Sequence, residues 1–303
     1  MSFLRYPSLS KLGNKEVESI EFGTTHVFPK LDGTNASMWM KESGHLEFAY
    51  GSRNRELSRE ADNAGFMHHM EETAYSSDYK RFLVDNPNLI LYGEWLVPHT
   101  LKDYRDDAWR RFYVFDVFDR VKEQFLHYDV YKPMLEQYPG IDYIPCIKII
   151  KNGTGDMFAH ELANARFMLK DTAKAGEGIV IKNYAWESNY GRQTWAKMIT
   201  GEFKDDFHKQ WDPSEKASNT NEETIVAKAV TPQLVEKEYA KIVTAEGGWS
   251  SKMIPRLLET VFHCVVTEEL YSCWKLVKHG TINGQSLRAF TIQRVKQLKS
   301  ELF

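Results

Sequence analysis

The hydrophobic period of this chain changes once, and that change limits what the chain can fold into. Before residue 200 the apolar residues come in short runs, at 26–30, 36–41, 46–50, 89–95, 112–118, 147–151, 178–182 and 194–199. Each run is rich in β-branched or aromatic residues and bounded by Gly, Asn, Asp or Pro, which predicts strands. Helical spacing separates only some of them, at 64–83, 128–137 and 159–173. That irregular order disfavours a strict βαβ alternation and predicts an α+β fold of antiparallel sheets flanked by helices. From Asp212 to Glu222 the chain is polar with no apolar period, and reads as a linker or exposed loop. Beyond it the pattern is helical. Thr231 before Pro232 marks a helix start, and 254–265, 268–279 and 286–302 carry helical spacing, as in Leu287, Phe290, Ile292, Val295 and Leu298. With 303 residues the chain is long enough for two cores. The expected division is 1–205, a linker at 206–222, and a small all-helical domain at 223–303.

The net charge of −3 argues against a chain that coats nucleic acid by charge alone, while leaving room for a local basic groove. Cys146, Cys264 and Cys273 are too few and too scattered for a disulfide framework or a zinc site. They are expected to be buried and reduced. No apolar run approaches the ~18 residues of a membrane span, and the N-terminus lacks the apolar core of a signal peptide.

Chemistry-bearing residues fall at the ends of the predicted strands. Lys30-Leu31-Asp32-Gly33-Thr34-Asn35 puts a lysine at the end of an apolar run, just before an Asp-Gly turn. An amine attacks phosphorus only when neutral. Free lysine titrates near pH ~10.4, and burial with cationic neighbours lowers that value; Lys182 and Lys197 are the candidate neighbours. The turn lets backbone come close to a nucleotide. Alone, the pattern also suits a surface hairpin. Tyr92-Gly93-Glu94 ends an apolar strand with a carboxylate able to accept from a ribose hydroxyl, or merely to face water. Phe112-Tyr113-Val114-Phe115-Asp116 is an aromatic strand with one acid. Strict alternation puts Phe115 on the face opposite Asp116; one ring can stack on a purine with the rest in the core, or the whole strand is core packing. Glu177-Gly178-Ile179-Val180-Ile181-Lys182 carries an acid and a base at its ends, suited either to a divalent metal and a phosphate or to an ordinary edge strand with charged ends. The same alternation separates Glu177 from Lys182. Lys197, between Ala196 and Met198, either reaches an α-phosphate or snorkels from a half-exposed strand.

In this order and spacing, the five elements resemble the motif series of the covalent nucleotidyltransferases, the polynucleotide ligases and capping guanylyltransferases. The chain looks most like an ATP-dependent RNA ligase of the phage RNA ligase 2 type, over residues 1 to 205. Tyr6-Pro7-Ser8-Leu9 precedes the lysine much as a Tyr-x-Ser-Leu stretch does in that family. The resemblance implies a nucleotidyltransferase (ATP-grasp-like ligase) domain that uses ATP with Mg2+ or Mn2+. It implies Lys30 as the adenylated nucleophile, Glu94 at the ribose, Phe115 on the adenine, and Glu177 beside the metal and the nucleophile. Lys182 and Lys197 would be phosphate or catalytic contacts. Leu31, Asn35 and Arg53 complete the implied nucleotide-binding set, with Asn35 matching an asparagine used in nick sealing and Ser52-Arg53 a Ser-Arg element. The implied partner is RNA with 3′-hydroxyl and 5′-phosphate ends, a nicked duplex among the options. The implied setting is a monomer in the cytoplasm, that of a bacterial host if phage-encoded, acting in RNA repair.

The pattern departs from that family in three places. Asp32 stands where the family often has His. The closing Lys-x-Lys motif reads Lys197-Met198-Ile199, with Ile199 for the second lysine, in the register set by Trp195 and by Glu202-Phe203. Beyond residue 222 only helical character matches. That region lacks the five strands of the OB barrel usual in DNA ligases and capping enzymes, which favours RNA ligase over both. A relative that binds nucleic acid without catalysis is the rival from another class. Lys252, Arg256, Lys275, Lys278, Arg288, Arg294, Lys296 and Lys299 are expected mostly on solvated helix faces, some of them holding RNA.

Overall fold

The computed structural model describes residues 3–41, 46–98, 101–173, 175–188, 191, 193–200 and 220–303. It divides into two compact units, Met1–Val97 with Leu101–His208, and Pro98–Thr100 with Lys209–Phe303. The greater part of the expected linker, with Glu202 and Phe203, lies outside the described residues.

The first unit is α+β and dominated by antiparallel pairing, as the irregular order of runs predicts. Its strands are β1 (Ser10–Lys11), β2 (Thr24–Lys30), β3 (Thr34–Met40), β4 (Phe48–Ser52), β5 (Leu89–Trp95), β6 (Phe112–Asp119), β7 (Gln124–Phe125), β8 (Lys148–Lys151), β9 (Gly178–Lys182) and β10 (Ala196–Ile199). They form two five-stranded sheets, ordered β1-β10-β9-β2-β8 and β4-β3-β5-β6-β7. Among the described strand pairs only β1 with β10 is parallel. The two-residue strands β1 and β7 were too short to leave a sequence pattern.

The first sheet is covered on both faces, which is why β2 and β9 read as continuous apolar runs. Val27, Ile179, Ile181 and Ala196 pack with Phe158 and Leu162 on one face. Phe28, Val180 and Trp195 join the larger core, with Met38, Leu91 and Val114 of the second sheet. Helices α1 (Phe66–Glu72), α2 (Ser77–Asp85), α3 (Tyr128–Leu135) and α4 (Gly155–Asn164) complete the unit. The single helix expected at 64–83 is two, because Thr73 takes an extended conformation between them. The helix expected at 159–173 instead starts at Thr154, whose side chain accepts from the Met157 amide, and ends nine residues early.

The second unit contains α5 (Asn221–Ala229), α6 (Pro232–Glu246), α7 (Ile254–Cys264), α8 (Leu270–Trp274) and α9 (Gly284–Leu298). A wide helical turn, Val265–Glu269, joins α7 to α8. Thr231 caps α6 with Pro232 in its first turn. Thr220 and Glu223 form a reciprocal capping box on α5, so the helical part begins before residue 223. Ile225, Val235, Ile242, Leu257, Val261, Leu287 and Val295 form a core within this unit. No described helix is long and apolar enough to cross a membrane. Cys264 and Cys273 are buried as expected, whereas Cys146 is only partly buried.

Candidate active site

Lys30 is the last residue of β2, and the chain then turns through Asp32 and Gly33 into β3. The turn is held from several sides. The Asp32 amide donates to the Tyr104 hydroxyl at 2.8 Å, and its carboxylate accepts from the Leu101 amide at 2.7 Å. The Gly33 amide donates to Glu94 Oε1 at 2.9 Å. A Cβ on Gly33 would sit 2.5 Å from the Trp95 carbonyl oxygen, so the turn closes only around glycine. Lys30 Nζ lies 2.7 Å from each oxygen of Glu177. Both side chains are mostly covered, 16% and 13% exposed.

Register explains how those groups meet. Lys30 pairs with Gly178 on β9, and Gly178 with Ile199 on β10. Paired residues point to the same face, so Lys30 and Ile199 flank a position that has no side chain. A Cβ on Gly178 would run into the Met198 carbonyl. Lys197 pairs with Val180 and so shares this face. Glu177 precedes β9, so the alternation that assigned it to the opposite face does not bind it, and its carboxylate turns to Lys30. The Lys30 amine thus meets the Glu177 carboxylate that the resemblance put beside it.

Lys182, at the far end of β9, is 1% exposed. Its Nζ donates to the Phe115 carbonyl at 2.6 Å. It also lies 2.8 Å from Asp116 Oδ1, in an ion pair that lacks hydrogen-bond alignment. The other Asp116 oxygen accepts from the Tyr6 hydroxyl at 2.6 Å and the Trp195 indole at 3.1 Å. Burial lowers the Lys182 pKa, against the pull of Asp116, and raises that of Tyr6.

Phe115 lies in a bulge. Tyr92 pairs with Asp116 but Gly93 pairs with Val114, which leaves Phe115 as the extra residue of β6. The strict alternation read from the sequence fails here, because an inserted residue resets the period. Phe115 and Asp116 both approach Lys182, whose Nζ lies 5.9 Å from the Phe115 ring centre. The Phe115 ring is half-buried against Tyr6 at 4.9 Å.

The remaining expected residues take other positions. Leu31 is core. Asn35 pairs with Glu94 across β3 and β5; its carbonyl accepts from Asn63 at 3.1 Å, while its side-chain oxygen is buried without a hydrogen-bond partner. Arg53 Nη2 donates to Ser8 Oγ at 3.1 Å, bringing the Ser-Arg element to the Tyr6–Leu9 stretch. Sequence reading missed Tyr104, which holds the Asp32 turn. Its own pKa is raised by burial, with the charges of Glu177, Asp32 and Glu94 adding to the effect. Nothing in the sequence marks it. Asp116, by contrast, was visible as the one acid in an aromatic strand.

The site thus presents an amine held by a carboxylate beside a tight backbone turn, with a half-exposed ring on a bulge. Glu177 offers hard oxygen donors, the type that magnesium and manganese take alongside substrate phosphates.

The RNA ligase family profile matches residues 24–199. No curated protein matches the chain. Among solved structures, Naegleria gruberi RNA ligase with pyrophosphate is similar at 20% identity and a TM-score of 0.48, covering 67% of this chain and 58% of that one. A variant of the same ligase with ATP and manganese gives 20% and 0.49, covering 67% and 58%. An unliganded variant gives 20% and 0.49, covering 66% and 57%. The chain therefore spans less than two thirds of the ligase chains it matches.

Proposed function

Because the chain belongs to the RNA ligase family, we propose that it is an ATP-dependent RNA ligase working through a lysine–AMP adduct. Residues 1–205 serve as the adenylyltransferase domain, and the helices of 223–303 help to hold RNA. The observation that carries this is the position of Lys30. It ends β2, directly before the glycine turn, with its amine 2.7 Å from both Glu177 oxygens. Glu177 orients that amine; as nucleotide enters, the amine releases one proton to solvent, and a second leaves as the N–P bond forms. Neutral Nζ then attacks the α-phosphorus of ATP; an N–P bond forms, a P–O bond breaks, and pyrophosphate leaves. AMP passes to the 5′-phosphate of an RNA end. The 3′-hydroxyl of the other end attacks that activated phosphate, AMP leaves, and a phosphodiester forms. Glu177 is the residue that would hold magnesium or manganese, which offsets phosphate charge when bound.

The other residues support those steps. Glu94, now on the Gly33 amide, faces the ribose. The Phe115 ring covers the adenine, with Leu31 backbone and Asn35 beside the nucleotide. Lys197 reaches the phosphates. Lys182 acts through Asp116 and the Phe115 carbonyl, its phosphate contact requiring exchange of those partners. Arg53 meets the nucleotide or the joining strand. RNA repair in the cytoplasm as a monomer, in a phage or bacterial setting, is the role that suits this chemistry.

Intact-protein mass with ATP and magnesium, then with GTP, on wild type and Lys30→Ala, tests the reading. The expected result is one AMP gained from ATP and none in Lys30→Ala. An adduct that survives the substitution removes Lys30 as nucleophile, and an adduct from GTP alone points to capping chemistry. The observation favouring a second reading, a nucleic-acid-binding relative without catalysis, is Ile199, two strands from Lys30 across Gly178, in place of a second lysine. No adduct with either nucleotide, on protein stripped of bound AMP, selects it.

A further inference from the structure

His26 lies on β2, four residues before the proposed nucleophile, and its environment has no account in the ligase chemistry. It is 3% exposed, and neither ring nitrogen has a hydrogen-bond partner. Leaving a buried polar group unmatched costs roughly 1–3 kcal/mol. Its ring is surrounded by those of His127 at 5.0 Å, Tyr184 at 5.5 Å and Tyr128 at 6.3 Å. Among the described residues, one ligand atom each from His26, His127 and Asp129 lie within 4.8 Å of one another. We propose that His26, His127 and Asp129 form a zinc site that ties β2 to the start of α3, next to the Lys182 end of β9.

The geometry suits that ion. His127 Nδ1 lies 3.6 Å from Asp129 Oδ2, close to the ~3.3–3.5 Å that separates neighbouring donors in a tetrahedron with zinc bonds near 2.0–2.2 Å. At present Nδ1 accepts the Asp129 amide as the cap of α3, at 3.1 Å, and zinc would take that lone pair in its place. His26 closes the set by a small ring movement, leaving a fourth position to water. Two imidazoles and a carboxylate select zinc over magnesium or calcium, which prefer oxygen alone. The charged and titratable groups facing His26 are His127, Asp129 and Lys182; the Lys182 charge is countered by Asp116. Burial, with His127 and Lys182 nearby, lowers the His26 pKa. His127 and Asp129 are partly open to solvent, which provides an entry path.

Calorimetric titration of Zn2+ into the full, tag-free, chelator-treated chain tests this. One zinc per chain is expected in wild type and in Glu177→Ala, which removes the hard-oxygen site beside Lys30. Affinity falls at least ~10-fold in Asp129→Asn and further in His127→Gln. Cobalt in place of zinc should give the visible bands of a tetrahedral site, lost in the same variants. Zinc should also raise the melting temperature of wild type and not of His127→Gln. Asp129 and His127 sit on the open side, so the test does not depend on whether His26→Gln folds. No zinc bound by wild type overturns the proposal. So does binding unchanged in Asp129→Asn and His127→Gln, or binding lost only in Glu177→Ala.

Discussion

At the scale of single residues, the site depends on glycine as much as on charge. Lys30, Gly178 and Ile199 lie in one line across three strands, and the bare centre of that line is what lets Glu177 reach Lys30. Gly178→Ala would drive a Cβ into the Met198 carbonyl, with the Ile199 Cα at 3.1 Å. Overpacking against backbone costs typically ~1–3 kcal/mol. The expected outcome is a lower urea midpoint by that amount and slower AMP-adduct formation, read by denaturation and intact mass. Lys30, Gly33, Glu94 and Glu177 stood out in the sequence because each lies at or next to one end of a strand run, where apolar periodicity gives way to chemistry. Tyr104 was not, because its value comes from a contact with an amide 72 residues away.

At the scale of elements, the bulge in β6 and the buried pair between strands decide how the aromatic motif is used. The bulge frees Phe115 from pairing. Its carbonyl is then held by Lys182 at 2.6 Å and by the Tyr131 hydroxyl at 3.0 Å. Lys182→Met would leave Asp116 as a buried carboxylate without its cation. Removing one partner of such a pair costs ~3–5 kcal/mol. Chemical denaturation of Lys182→Met, Asp116→Asn and the double variant should show that loss in Lys182→Met. The double variant should lose less than the two singles summed. In the helical unit several of the expected RNA-holding cations are already matched within the unit: Arg256 by Glu246, Arg288 by Glu259, and Lys299 by Glu236 and Glu301. Lys275 and Lys296 lie over the rings of Tyr271 and Phe303. Lys299, its side chain only 15% exposed, departs from the solvated-face expectation.

At the scale of the whole molecule, each unit has its own core. A fragment of residues 220–303 is expected to keep its helical circular dichroism and to melt cooperatively on its own; a featureless spectrum would show that its core is not sufficient. Stability should also fall in mild acid. The His26 and His69 pKa values are lowered from 6.5 in the folded state, chiefly by burial. The unfolded chain then binds more protons below that value, so stability is full above pH 6.5 and is lost as pH falls toward the folded values. Urea midpoints at pH 7.5 and pH 5, with chelator present, should show the drop, and His26→Gln should make it smaller. By itself the sequence determined the α+β order, the switch to helices, and the strand ends that carry Lys30, Glu94 and Glu177, because periodicity and turn chemistry act over a few residues. Only the tertiary structure decided that Glu177 faces Lys30, that Phe115 and Asp116 approach the same lysine, and that His26 meets His127 and Asp129. Those outcomes rest on register, a bulge and packing between strands distant in sequence, which no local pattern records.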